Sequence, residues 1–239
     1  MKKTHTVDIW LTRLSDVDEY MRRAYERLFN PAEKVRLSRY VVDHAREQHI
    51  VARALLRTAL SRYADVRPDA WEFGTNSHGK PHIIAPYIGC PLKFNISHTC
   101  GVVACAISCE REVGIDVERI DGKHDYAELA HLVLADAELI RLNRSPPSER
   151  RERFYVLWTL KEAYLKAVGT GLSIPLYELN FDLERRPVRL KYGSSAPGDL
   201  TQWHFETSMP TAEHALALAV AASPDQQTQV NLHWTIPST

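Results

Sequence analysis

Arg153-Phe-Tyr-Val-Leu-Trp-Thr-Leu-Lys-Glu-Ala-Tyr-Leu-Lys-Ala-Val-Gly-Thr-Gly171 reads as a helix on which the rest of the chain depends. At ~100° per residue it places Leu157, Leu160, Ala163, Tyr164, Ala167 and Val168 on one apolar side. Glu162 and Lys166, one turn apart, point away from that side together with Trp158 and Tyr155. Gly169 is placed to stop the helix, since it adopts positive φ without steric cost. A Glu–Lys pair of this kind on a bare surface contributes only ~0.3–0.5 kcal/mol. Its meaning is set by the segments upstream.

The 239 residues suffice for one large domain or two small ones. Lys+Arg and Asp+Glu are 30 each, so the chain lacks the basic excess of a general nucleic-acid binder. Any basic site must be local. The four cysteines, Cys90, Cys100, Cys105 and Cys109, form no C-x-x-C pair, and no Cys/His set has zinc spacing. The start has no apolar signal core and no stretch approaches a membrane span. Reduced thiols in a cytoplasmic protein are the expectation.

Val7–Leu14 alternates apolar and polar residues and predicts a first strand. Asn30-Pro31-Ala32-Glu33 opens a helix that delivers Lys34, Arg36 and Arg39. A long helix follows from about His44 to Tyr63, with Arg46, His49, Arg53 and Arg57 in one narrow stripe between apolar neighbours. Cations in such a setting need anionic partners, because desolvating a bare charge costs several kcal/mol. Internal carboxylates such as Glu47 or Asp43 and an external phosphate are both suitable.

Strands are predicted at Ala70–Gly74, Pro81–Ala85, Leu92–Ile96, Val102–Ser108 and Glu112–Arg119, then a helix over Tyr126–Leu142 and a loop over Asn143–Ser148. After the opening helix come strand-like segments at Ser173–Leu183, Val188–Tyr192, Gln202–Thr207, His214–Ala222 and Gln229–Thr235, with a loop at Gly193–Asp199. Phe94–His98 before Val102–Ser108 resembles Trp203–Thr207 before Ala215–Ala222, though the second copy lacks the Ser-His. A duplication implies two similar halves, 1–113 and 114–239, with a cleft between them.

Asp116 and Glu118 alternate on a strand, so both carboxylates emerge on one side. That is a solvent face, with Arg119 beside it, or a ligand site. Gly114 favours a site, because glycine inside a strand marks close approach of another backbone or a ligand. With Glu162 added, three carboxylates offer the hard oxygen set that suits Mg²⁺ alongside substrate phosphates. Ser97-His98 ends a strand, where polar groups can meet a ligand, and Lys80 sits on a stiff Gly-Lys-Pro turn.

Gly79-Lys80-Pro81-His82-Ile83, Phe94-Asn95-Ile96-Ser97-His98-Thr99, Gly114-Ile115-Asp116-Val117-Glu118 and Trp158-Thr159-Leu160-Lys161-Glu162-Ala163-Tyr164-Leu165-Lys166 together resemble the 4′-phosphopantetheinyl transferases, specifically the long, surfactin-synthetase-activating (Sfp) type. The resemblance runs from about Pro31 to Pro175 and weakens beyond. It implies an α+β pseudo-dimer, each half a small, mainly antiparallel sheet packed with helices, with coenzyme A in the cleft and Mg²⁺ on its pyrophosphate. It implies attack by a serine of an apo acyl or peptidyl carrier protein and release of 3′,5′-ADP. By position, Asp116, Glu118 and Glu162 match the metal carboxylates and Glu162 also the base, directly or through water. Lys166 matches the lysine on the leaving phosphate, Ser97 and His98 the coenzyme A phosphate contacts, and Lys80 the basic turn nearby. Arg36, His49 and Arg53 are the choices for the 3′-phosphate, with Lys34 or Arg46 substituting under a register shift. Carrier docking is expected around Lys123–His131 and the helix after it. A monomer that binds neither nucleic acid nor membrane is the expected form. A non-catalytic carrier-protein or coenzyme A binding module, or a Mg²⁺-dependent phosphohydrolase, would carry many of the same residues.

Overall fold

The computed structural model describes residues 3–121, 125–171, 174–185, 187–192, 203–223 and 225–238. Its first unit comprises β1 (Lys3–Arg13), α1 (Glu19–Tyr25), α2 (Pro31–Leu37), α3 (Asp43–Leu60), β2 (Glu72–Thr75), β3 (Pro81–Ala85), β4 (Leu92–Thr99) and β5 (Val102–Cys109). The second repeats the order with β6 (Val113–Arg119), α4 (Tyr126–Val133), α5 (Asp136–Arg144), α6 (Pro147–Val168), β7 (Leu179–Asp182), β8 (Arg189–Tyr192), β9 (Trp203–Thr211) and β10 (His214–Ala221). In each unit the last strand pairs antiparallel with the first, β5 with β1 and β10 with β6. Each long helix is followed by a small hairpin, β2–β3 or β7–β8, and then by the hairpin that completes the main sheet. The sequence similarity between the two aromatic-then-apolar strand pairs therefore reflects a repeated α+β topology.

A final strand, β11 (Gln226–Trp234), breaks the symmetry. It pairs parallel with β1, giving sheet orders β11-β1-β5-β4 and β6-β10-β9. The chain's last strand thus joins the sheet of its first strand. The residues at 193–199 and Gln202, expected as loop and strand start, lie outside the described residues, as does Ser173.

The layers follow from strand periodicity. Val103, Cys105 and Ile107 of β5 pack under Ile50, Leu55 and Leu56 of α3, while Val102, Ala104 and Ala106 face the second sheet. There they meet Val113, Ile115 and Val117 of β6 and Leu216, Leu218 and Val220 of β10. The alternate residues of β10, Ala215, Ala217 and Ala219, lie beneath α6. Small residues toward the helix and large ones toward the sheet let α6 settle close.

Three expectations need correction. The helix over Tyr126–Leu142 is two helices, because the Glu138 carboxylate accepts from the Ala135 amide at 2.9 Å and starts α5 there. Tyr155 is not on an outward face: it is buried edge-on against Phe154, since α6 is covered on more than one side. The cysteines are not all free. Cys90 and Cys109 are paired as a disulfide, the antiparallel register setting Cys109 opposite Leu92 and bringing their Cα atoms to 6.4 Å.

Candidate active site

β6 presents Gly114, Asp116 and Glu118 on the face opposite Val113, Ile115 and Val117. A Cβ at Gly114 would lie 2.1 Å from the Ala163 carbonyl oxygen and 2.3 Å from the Ala167 nitrogen. So the backbone of α6 rests directly on β6, with Glu162 and Lys166 beside the strand's two carboxylates. The close approach read from the glycine is that of a helix.

Lys166 Nζ lies 2.6 Å from Asp116 Oδ1 and 3.1 Å from Ser97 Oγ, and the Ser97 hydroxyl donates to the same Asp116 oxygen at 2.9 Å. Asp116 is 2% exposed and its Oδ2 is buried without a hydrogen-bond partner. Glu118 accepts from Thr99 at 3.3 Å. Its pKa is pushed up to about 7 by burial and by the charge of Asp116, with Glu162 adding to the rise. Burial and Asp116 likewise raise Glu162. The three acids feel one another's charge, as carboxylates sharing one site do. Among the described residues no three His, Cys, Asp or Glu side chains are already drawn into a metal-sized cluster. The donor set still fits a hard divalent cation, with one buried Asp116 oxygen unpartnered.

The neighbouring strand supplies the frame. Asn95, Ser97 and Thr99 alternate along β4, and their side-chain oxygens accept from the backbone amides of Ile115, Val117 and Arg119 at 3.0–3.3 Å. β4 and β6 belong to different sheets, and these bonds join them side by side. Ser97, which the resemblance sets among the coenzyme A phosphate contacts, is buried, its hydroxyl donating to Asp116 and accepting from the Val117 amide. The i, i+2, i+4 polar alternation in Leu92–Thr99 was the available signal.

Lys80 is mostly buried, not a solvent-exposed loop tip. Its Nζ lies 2.6 Å from Glu112 and donates to the Ala167 carbonyl at 2.7 Å, just before the helix-ending Gly169 with φ 75°. A cavity of about 270 Å³ runs between His78, Lys80, Ile96, Glu162, Lys166 and Gly171.

At the N-terminal wall, Arg53 and Arg57 take an internal carboxylate, but it is Glu33 rather than Glu47 or Asp43. Glu33 also closes a capping box with Asn30. Arg57 is fully buried and donates to the carbonyls of Pro68 and Trp71. Arg46 pairs with Glu26 at 2.9 Å. Arg36 is exposed. His49 packs near Tyr40 at 5.2 Å, and its pKa is lowered to about 4 by burial and then by Arg53, Arg36 and His98. Glu33, paired with Arg53, acts on His49 in the opposite sense. His98 is held below its ordinary pKa by partial burial and by Lys166.

Sequence reasoning missed Lys161. It is fully buried, paired with Glu138 at 2.6 Å, and donates to the carbonyls of Val133 at 2.8 Å and Leu176 at 3.0 Å. Glu138 also accepts from the Phe181 amide at 2.7 Å. Lys161 stands on the same stripe as Leu157 and Tyr164, so its burial was legible in the helical period; its partner was not.

Residues 112–221 match the 4′-phosphopantetheinyl transferase superfamily, and residues 18–110 match the 4′-phosphopantetheinyl transferase N-terminal family. The chain is 31% identical over 190 residues to the 4′-phosphopantetheinyl transferase HetI of Nostoc sp., covering 79% of this chain and 77% of that protein. It is 31% identical over 187 residues to a 4′-phosphopantetheinyl transferase of Bacillus subtilis, covering 76% and 78%. Among solved structures, a holo-[acyl-carrier-protein] synthase of Thermotoga maritima aligns with a TM-score of 0.39 and 26% identity over 47% of this chain and 63% of that one. The chain belongs to the 4′-phosphopantetheinyl transferase superfamily.

Proposed function

We infer that this transferase is of the surfactin-synthetase-activating type and works at the seam where β6 meets α6, moving 4′-phosphopantetheine from coenzyme A to a carrier-protein serine with Mg²⁺. The observation that carries the reading is the approach enforced by Gly114, which sets Asp116 and Glu118 of the strand against Glu162 and Lys166 of the helix. Asp116, Glu118 and Glu162 would hold Mg²⁺, which when bound supplies charge neutralisation to the pyrophosphate. Glu162 receives the proton lost by the serine, directly or through water. The serine oxygen bonds to the β-phosphorus as the bond from that phosphorus to the bridging oxygen breaks. Lys166 then stands beside the departing 3′,5′-ADP phosphate, neutralising or protonating it. Phosphoryl transfer asks the protein mainly for such positioning and charge compensation.

The two halves, 1–113 and 114–239, form the walls. Lys80 and His98 line the coenzyme A phosphates, with Ser97 acting through Asp116. Arg36, His49 and Arg53 receive the 3′-phosphate, and there a phosphate would compete with Glu33 for Arg53. The protein acts as a cytoplasmic monomer. The expected docking segment around 123–131 is described only from Asp125 onward, where α4 and α5 expose Leu132 and Ile140.

Incubation with coenzyme A, Mg²⁺ and a panel of apo carriers, followed by weighing the carrier, tests the reading. A phosphopantetheine mass gain that disappears in Glu162→Ala is expected. Release of 3′,5′-ADP with no carrier present would instead favour hydrolysis. Full transfer by Glu162→Ala would remove that residue from the mechanism.

A further inference from the structure

Asn95 lies on β4 two residues before Ser97 and is 5% exposed. Its Oδ1 accepts from the Ile115 amide at 3.0 Å. That bond fixes which way the carboxamide faces, because a main-chain N–H can meet only the oxygen. Nδ2 is therefore directed away from that amide, and among the described residues it makes no hydrogen bond. Ser97 and Thr99 do the same work at the seam with hydroxyls alone, each accepting from its amide at 3.3 Å. At the third place in the row, asparagine brings a second polar group that the seam does not use.

The surroundings say what this group would meet. Asn95 lines the cavity of about 270 Å³ together with Lys80, Ile96, Glu162, Leu165 and Lys166. An amide nitrogen only donates, and so do the ammonium groups of Lys80 and Lys166. A ligand that fits between such walls must bring acceptors, and the diphosphate is the part of coenzyme A richest in them. We propose that Asn95 is a binding residue whose Nδ2 donates to a diphosphate oxygen of coenzyme A while its Oδ1 stays on Ile115. This rests on the reading of the cavity as the place of the coenzyme A phosphates. The carboxamide then ties the ligand to β6, the strand that carries Asp116 and Glu118. A purely structural asparagine would serve only the seam, and a hydroxyl could replace it with no loss of ligand affinity.

Isothermal titration of the full chain with coenzyme A, without carrier, separates the two roles. Asn95→Ser copies Ser97 and Asn95→Thr copies Thr99, so each keeps an acceptor for the Ile115 amide and loses the nitrogen. Each is expected to melt close to wild type and to bind coenzyme A about five- to tenfold more weakly, the worth of one hydrogen bond. The KM for coenzyme A should rise with that loss, while the KM for the carrier stays unchanged. Asn95→Leu, which leaves the Ile115 amide bare, should melt lower than either. If the hydroxyl variants bind coenzyme A as tightly as wild type, or if both KM values rise together, the proposal is overturned. A wild type that binds no coenzyme A at all would sink the functional reading itself, whereas wild-type binding with equally tight hydroxyl variants removes Asn95 alone.

Discussion

Replacing Gly114 by alanine adds a single methyl group at the point where strand and helix touch. The new carbon would sit 2.1 Å from the Ala163 oxygen, 2.3 Å from the Ala167 nitrogen and 2.9 Å from the Ala167 Cα. To restore ordinary contact, α6 must retreat from β6 by on the order of 1 Å. All three obstructing atoms are backbone, so no rotamer change relieves them. Overpacking of this kind costs about 1–3 kcal/mol, and the rigidity of both partners places it toward the upper end. For a chain of this size that lowers Tm by roughly 5–10 °C. The same retreat carries Glu162 and Lys166 away from Asp116, and a displacement of that order costs about 10²-fold in rate. Differential scanning fluorimetry reads the first effect, and mass spectrometry of a carrier at matched concentrations of folded enzyme reads the second. Because the clash is with main chain, Gly114→Ala/Ala163→Gly should remain as impaired as the single variant. A Gly114→Ala protein with wild-type Tm and rate would refute the idea that this contact sets the distance between the two catalytic elements.

Two further outcomes follow from groups outside the acidic trio. Lys161→Met leaves Glu138 buried without its counter-ion and should cost about 3–5 kcal/mol in urea unfolding, with Glu138→Gln/Lys161→Met recovering part of the loss. A single variant as stable as wild type would show that the pair is dispensable. His49 is held near pKa 4 by burial and by the facing Arg53, Arg36 and His98, against the opposing pull of Glu33. Its native ring is therefore neutral where the unfolded ring, with an ordinary value of 6.5, takes up a proton. That stability is complete above about pH 6.5 and is lost as pH falls toward 4. Thermal melts across this window should show a smaller acid-side decline for His49→Gln; an identical decline would exclude His49 as a source.

The residues that were legible in the sequence are those whose spacing is itself geometry. Asp116 and Glu118 share a strand face by alternation, and Glu162 and Lys166 share a helix face one turn apart. Gly114 announced a close approach, and the double aromatic-then-apolar pattern announced the duplication. What could not be read were partners set by tertiary packing. Glu33 lies one helix away from the arginines it binds, and Glu138 is in a different helix from Lys161. The same Glu138 divides α4 from α5, with no glycine or proline to mark the place. Ser97 stands in a readable motif, but its hydrogen bond to Asp116 across the seam is set by packing. The cysteine spacing gave no hint of the Cys90–Cys109 pairing, because only the register of β4 on β5 brings those ends together.

The added strand β11 has a consequence for stoichiometry. A perfect two-fold repeat would offer two equivalent crevices, one along the free edge of β6 and one along that of β1. Beside β6, the serine and asparagine side chains of β4 meet the main-chain amides and leave room for acidic groups above them. Along β1, the backbone of Gln226–Trp234 fills the corresponding position from Lys3 to Leu11. Among the described residues the repeat is thus one-sided, with the edge of β1 covered by main chain and that of β6 left to side chains of β4.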